Sequence, residues 1–117
     1  MSEILLCYCT CPDEACARRI AEALVDEGLA ACVNQLPSVR STYRWEGALC
    51  TDSEVLLLIK TTAARFTALK SRLLELHPYE VPELVAVPVS HGHGAYLDWV
   101  RQQAGSELGG ARSGAAK

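Results

Sequence analysis

The sequence has no long apolar run and no marked excess of one charge. No apolar stretch in its 117 residues approaches the roughly 20 that a membrane-spanning helix needs. Charged residues make up only 21% and leave a formal net charge of −3, with the basic residues scattered along the chain. A secretory signal requires a basic segment before its apolar stretch, and no such segment precedes Ile4. We therefore expect a soluble cytoplasmic protein with neither a nucleic-acid nor a membrane partner.

The short motifs of common catalytic sites are also missing. The chain has no nucleophile elbow, no Walker loop, no dinucleotide fingerprint and no H-E-x-x-H helix. Cys9 with His77 could form a nucleophile and its base, but nothing marks an orienting third group or an oxyanion site. The sequence therefore predicts that the protein is not an enzyme, and a Cys9 thiol enzyme or redox protein is the alternative.

Six cysteines are present, but they include no C-x-x-C pair. A zinc ribbon or a thioredoxin-like site is therefore disfavoured. Disulfide-dense domains are secreted and poor in core, whereas half of this chain is hydrophobic. Most of the cysteines are thus interpreted as small, buried apolar side chains.

Hydropathy patterns predict the element order β-α-β-β-α-β, followed by a short helix. The predicted strands are 3–9, 31–45, 48–60 and 81–89, and the predicted helices lie between Thr10 and Gly28, between Thr61 or Thr62 and Pro78, and at 95–104. Thr10 and Asp13 have the spacing of a capping box at the start of the first helix. Residues 105–117 are rich in Gly, Ser and Ala and predict a disordered tail after a single domain at 1–104.

This order is typical of the α+β class, specifically a ferredoxin-like sandwich with helices on one face of an antiparallel sheet. The run 55–59 is apolar on both faces and indicates a central strand that is buried on both sides. Pro82 and Pro88 favour an edge position for the fourth strand, since proline cannot donate to a ladder, and Pro37 marks an edge or a bulge in the second.

The second and third strands are predicted to form an unusually long hairpin. Each exceeds the usual length of about five or six residues, so the hairpin should overhang a four-stranded sheet. The overhang carries Tyr43, Trp45 and Leu49, which need an apolar cover. A second copy of the chain is the simplest partner for them.

The same topology places Cys9, the hairpin tip and His77 at one end of the domain. A thiolate and an imidazole suit copper or zinc. The alternative is a packed strand-end cysteine and a histidine that caps a helix C-terminus, which these residues alone favour. His91 and His93 fall at the opposite end, where a plain loop is the better interpretation.

A clamp formed by Cys7, Cys9 and Cys11 is disfavoured by distance. Residues two apart on one strand face lie roughly 6.6 Å from each other. One zinc ion with bonds of about 2.3 Å reaches across at most about 4.6 Å. The sequence therefore predicts no three-cysteine site.

Six segments in register resemble a known family. They are TCPDE at 10–14, LAACVN at 29–34, STYRWEG at 41–47, KTT at 60–62, HPYEVPE at 77–83 and YLDW at 96–99. From about residue 4 to about residue 101, the chain closely resembles the CutA family of divalent-cation tolerance proteins. The resemblance implies a ferredoxin-like protomer in a tight homotrimer, similar in architecture to the nitrogen-regulatory PII proteins. It also implies tolerance to copper and other divalent cations, with no established enzymatic activity.

The resemblance also implies which residues bind metal. The bacterial copper-binding pattern has a cysteine just before T-x-P-D and two adjacent histidines before P-Y. Cys9 matches the cysteine and His77 the second histidine, whereas Leu76 replaces the first histidine. Cys9 and His77 are therefore the expected ligands of Cu²⁺ or a related cation.

The same architecture leaves a second hypothesis open. The protein could be a PII-like regulatory module that binds a small ligand or a partner protein in a cleft between subunits. The polar and aromatic candidates near the inferred clefts are Trp45, Glu46, Lys60, Tyr79 and Glu83.

Overall fold

The computed structural model describes residues 2–105 and confirms the predicted order of elements. The strands are β1 (Ile4–Cys11), β2 (Cys32–Trp45), β3 (Ala48–Thr62) and β4 (Val85–Pro88). The α-helices are α1 (Glu14–Asp26), α2 (Phe66–Leu76), which follows a 3-10 turn at Ala63–Arg65, and α3 (Gly94–Gly105). Gly105 therefore ends a helix, and the rest of the predicted tail lies outside the described residues.

The strands form one antiparallel sheet in the order β2-β3-β1-β4, as the ferredoxin-like prediction requires. β4 lies at an edge, which agrees with its prolines. Alternate residues of β1 and β3 face helices α1 and α2 and form the main core. Its fully buried members include Cys7, Cys9, Cys11, Ile20, Leu24, Leu57, Ile59, Leu69 and Leu73.

The first helix begins later than the sequence predicted. β1 continues through Thr10 and Cys11, and Thr10 pairs with Leu56 of β3 instead of capping the helix. Asp13 is the N-cap, and its Oδ1 accepts a hydrogen bond of 2.8 Å from the Cys16 N–H. Cys9 and Cys11 therefore lie on one regular strand, which matters for the site described below.

Two further boundaries differ from the predictions. β3 includes Thr61 and Thr62, and the buried Thr61 hydroxyl donates to the Leu29 carbonyl at 2.7 Å instead of capping a helix. β4 begins only at Val85, so the predicted strand at 81–89 was too long at its start. Pro82 has no N–H for a ladder, which gives a physical reason for the late start.

The long hairpin is confirmed in detail. Glu46 and Gly47 form its tip with φ of 51° and 84°, the positive values that a tight hairpin turn of this twist needs. The register shifts between Leu36 and Val39, as Pro37 indicated. β1 ends at Cys11, which pairs with Val55, so the seven-residue arm of β3 at 48–54 extends beyond it.

Within a single chain, β3 is buried on one face only and not on both faces, as was predicted from its sequence. Leu56 and Leu58 lie on this open face and are only partly buried within the chain. Their neighbours Leu36, Val85 and Val87 are 37%, 53% and 46% exposed. The helices thus cover one face of the sheet, and a single chain leaves an apolar second face in contact with water.

Within residues 2–105, no helix combines the length and the apolar character that crossing a bilayer requires.

Candidate metal site

Three side chains that can bind metal converge where β1 ends. They are Cys9, Cys11 and His77, whose ligand atoms all lie within 4.8 Å of one another. Both cysteines are fully buried, and His77 is only 7% exposed. The predicted pair Cys9 and His77 is therefore brought together, and Cys11 joins it.

Backbone geometry explains this convergence. The pleat of β1 points Cys9 and Cys11 to the helix-covered face, two residues apart. His77 immediately follows α2, and its N–H donates to the Leu73 carbonyl at 2.9 Å. Pro78 disfavours helical backbone at His77, so the chain turns there toward the end of β1.

The imidazole of His77 has a partner at each nitrogen. Nδ1 accepts a hydrogen bond of 3.2 Å from the Tyr79 N–H, which assigns the proton to Nε2. Nε2 then donates to the Thr10 carbonyl at 2.8 Å. The Cys9 thiol donates to the same carbonyl at 3.8 Å. His77 therefore fastens the chain after α2 to the end of β1, and a metal ion at either nitrogen has to replace one of these bonds.

The thiols around the site hold their protons firmly. The hydrogen bond with Cys9, and then burial, raise the pKa of Cys11 far above its usual value. Burial raises the pKa of Cys16 to about 11, and the adjacent Cys11 adds to this shift. Burial alone raises the pKa of Cys7 to about 11. Metal binding at these thiols has to displace a proton, because the thiolate is the ligand.

Cys9 and Cys11 approach each other more closely than their spacing along the strand predicts. Residues two apart on one strand face lie roughly 6.6 Å from each other, but side chains lean away from the strand normal. The ligand atoms of Cys9 and Cys11 lie within 4.8 Å of each other. The sequence feature that could have indicated this proximity is the alternation of three cysteines in the CYCTC segment of β1. Cys7 lies outside the group, so a three-cysteine clamp is still absent from the described residues.

A cavity of about 590 Å³ lies beside this cluster, between the hairpin and the start of the segment that leads to β4. Its walls include the predicted cleft residues Trp45, Tyr79 and Glu83, together with Tyr43 and Glu54. The Tyr79 hydroxyl donates to Glu54 Oε2 at 2.6 Å. Burial and this bond raise the pKa of Tyr79 well above its usual value.

The two other predicted cleft residues lie elsewhere. Glu46 is in the turn at the hairpin tip. Lys60 pairs with Leu6 of β1, and its Nζ donates to Asn34 Oδ1. Thr10, on the cavity wall, pairs with Leu56, four residues from Lys60 along β3 and thus roughly 13 Å away. His91 and His93 follow β4 at the other end of the sheet, where the Val89 N–H donates to the Ile4 carbonyl.

Known proteins share both the sequence and the fold. A family profile described as CutA1 divalent ion tolerance protein matches residues 5–103. The chain is 52% identical over 105 residues to the divalent-cation tolerance protein CutA of Thermus thermophilus, covering 90% of this chain and 100% of that one. It is 48% identical over 95 residues to protein CutA of Homo sapiens, covering 81% of this chain and 53% of the human one.

A solved structure agrees with these sequence matches. CutA from Xylella fastidiosa superposes with a TM-score of 0.86 at 48% identity and covers 88% of this chain and 99% of that one. The names of two other relatives give their compartments. A rice relative is named chloroplastic at 40% identity, and an Archaeoglobus fulgidus structure at 32% identity is named periplasmic.

Proposed function

This chain belongs to the CutA1 family of divalent ion tolerance proteins, and from that premise we propose that it is a homotrimeric cation-binding protein. Its ligands in this proposal are Cys9 and His77, and its cation is Cu²⁺ or a related divalent ion. One observation carries the proposal: the buried thiol of Cys9 and the buried imidazole of His77, far apart in sequence, meet at the end of β1. The proposed role is binding and not catalysis.

The chemistry of the two groups supports this assignment. Sulfur and imidazole nitrogen suit copper and zinc better than they suit Mg²⁺ or Ca²⁺. The Cys9 thiol and the His77 Nε2–H both point their protons at the Thr10 carbonyl. A cation that takes the Cys9 sulfur displaces its proton, and the imidazole must exchange a hydrogen bond for the metal.

Calorimetric titration with Cu²⁺, and with Zn²⁺ as an ion that thiols do not reduce, tests this proposal. The half-exposed thiols are first removed by Cys32→Ser and Cys50→Ser, so that they bind no metal. We expect one saturable site per chain, and a loss of at least about 10-fold in affinity with either Cys9→Ser or His77→Ala.

His91→Ala is the matched control, because this histidine lies at the far end of the sheet. Unchanged affinity in both Cys9→Ser and His77→Ala, or a loss in His91→Ala alone, would contradict the assignment.

Exposed apolar groups support the homotrimer in this proposal. In a single chain, the open face of the sheet and the hairpin side chains Tyr43, Trp45 and Leu49 leave apolar surface in contact with water, with Leu49 72% exposed. Burying apolar surface is the main driving force for association. Further copies of the chain cover both features in the trimer.

We place the protein in the cytoplasm. All six cysteines are free in the structure, as expected for a reducing compartment. Cell fractionation tests this placement, and recovery in an exported fraction would overturn it.

The cavity supports a second candidate function, a PII-like module that binds a small ligand or a partner beside the hairpin. Its walls combine aromatic rings with the carboxylates of Glu54 and Glu83. A thermal-shift screen of metabolites is expected to find a ligand that raises the melting temperature of the wild-type protein. Trp45→Ala should abolish that shift, whereas Leu74→Ala, on the far side of the domain, should leave it unchanged. A screen without a single Trp45-dependent shift would count against this candidate.

A further inference from the structure

The cluster contains a second thiol that the proposed pair of ligands leaves unused. Cys11 lies on the same face of β1 as Cys9 and is fully buried. Its sulfur lies within 4.8 Å of both the Cys9 sulfur and a nitrogen of His77. Two sulfurs that share one ion, with bonds of about 2.3 Å, lie at most about 4.6 Å apart. A small change in side-chain torsions therefore brings all three donors within reach of one ion.

Building on the proposed function, we propose that Cys11 is a third ligand of this site. The complete site is then Cys₂His, and it selects a thiophilic d¹⁰ ion, Zn²⁺ or Cu⁺, over oxygen-preferring divalent ions such as Mn²⁺.

The donor set and the burial both support this selectivity. Two thiolates and an imidazole are soft or borderline ligands, and such ligands favour zinc and Cu⁺. None of the three residues is more than 7% exposed, so the site has little access to the water molecules that Mn²⁺ and Mg²⁺ usually retain. Cys16 borders Cys11 from α1 but lies outside the group of mutually close ligand atoms.

The side chains that converge here include no carboxylate. Among residues 2–105, no Asp or Glu oxygen lies within 4.8 Å of all three ligand atoms. Glu54, the nearby buried acid, accepts its hydrogen bond from Tyr79 at the cavity. The site is therefore rich in sulfur, which distinguishes it from the oxygen sites of hard cations.

The test compares the affinities of Cys11→Ala and Cys7→Ala for Zn²⁺, for Cu⁺ supplied with ascorbate, and for Mn²⁺. Cys7→Ala is the matched control, because Cys7 is equally buried on the same strand face but lies outside the cluster. Both changes are made in the Cys32→Ser, Cys50→Ser background. Affinities come from competition with a chromophoric chelator, and X-ray absorption counts the sulfur neighbours of the bound ion.

We expect Zn²⁺ or Cu⁺ to bind far more tightly than Mn²⁺, with two sulfur neighbours. Cys11→Ala should weaken that binding by at least about 100-fold and leave one sulfur neighbour. Cys7→Ala should preserve both the affinity and the two sulfur neighbours. Circular dichroism checks the fold, and Cys11→Ser serves in its place if the alanine variant does not fold.

Two other outcomes separate the inference from the proposed function. Wild-type affinity in Cys11→Ala, with weakened binding in Cys9→Ser and His77→Ala, would overturn the role of Cys11 and retain the proposed site. Absence of saturable binding, or equal binding by all of these variants, would overturn the proposed site and this inference together.

Discussion

Val87→Glu is expected to convert the proposed trimer into single chains. Val87 lies on the open face of β4 and is 46% exposed within one chain, so a lone chain tolerates a carboxylate there. Assembly through this face would bury the carboxylate without a partner, and burying an unpaired charge costs several kcal/mol. Each trimer carries three copies, so the effect is multiplied. Size-exclusion chromatography with light scattering should show the mass of one 12.7 kDa chain instead of three.

Leu74→Glu is the matched control for this change. Leu74 is 47% exposed, nearly the same as Val87, but it lies on α2, on the other side of the sheet. The control variant should remain trimeric. Dissociation by both variants, or by Leu74→Glu alone, would show that the open face is not the assembly surface. A wild-type protein that is already a single chain would contradict the proposed trimer directly.

Leu73→Ala is expected to lower the free energy of unfolding by about 3–5 kcal/mol. Leu73 is fully buried between α2 and the sheet, so truncation removes its transfer free energy and leaves a cavity. Such a loss is a large part of the stability of an ordinary small domain. Chemical denaturation at one fixed protein concentration measures it, since the stability of an oligomer depends on concentration.

Leu74→Ala tests whether burial causes this loss. The two leucines are adjacent in α2, so the change in helix propensity is similar for both. Only Leu74 is exposed, and its replacement should shift the free energy by about 0.5 kcal/mol or less. Equal losses at the two positions would attribute the effect to the helix itself and not to the core.

Local patterns determined most of the fold. In the second helix, Leu69 and Leu73 have the four-residue spacing of one helix face, and both are fully buried. Glu46 and Gly47 marked the hairpin tip, and Pro37 marked the bulge. These features depend on residues close together in sequence, whose backbone preferences and periodicity can be read directly. The predictions were less accurate at element ends, where Thr10 and Thr61 had strand partners that outweighed their capping preference.

The site depended on contacts that no local pattern contains. The sequence and the family resemblance selected Cys9 and His77, and topology placed them at one end of the domain. Only tertiary structure brought Cys11 within 4.8 Å of both, because side-chain direction, and not strand spacing, sets that distance. Tertiary structure also gave both His77 nitrogens a partner, at Thr10 and Tyr79.

The two faces of the sheet show most clearly what the sequence determined and what the tertiary structure decided. The sequence by itself determined that β3 is apolar on both faces, because alternation along a strand is a property of the sequence. Only the tertiary structure decided that α1 and α2 both pack on the same face and leave Leu56 and Leu58 partly exposed. The physical reason is that the hydrophobicity of a side chain favours its burial but does not specify what covers it. The path of the chain connections decides which face of the sheet the helices cover.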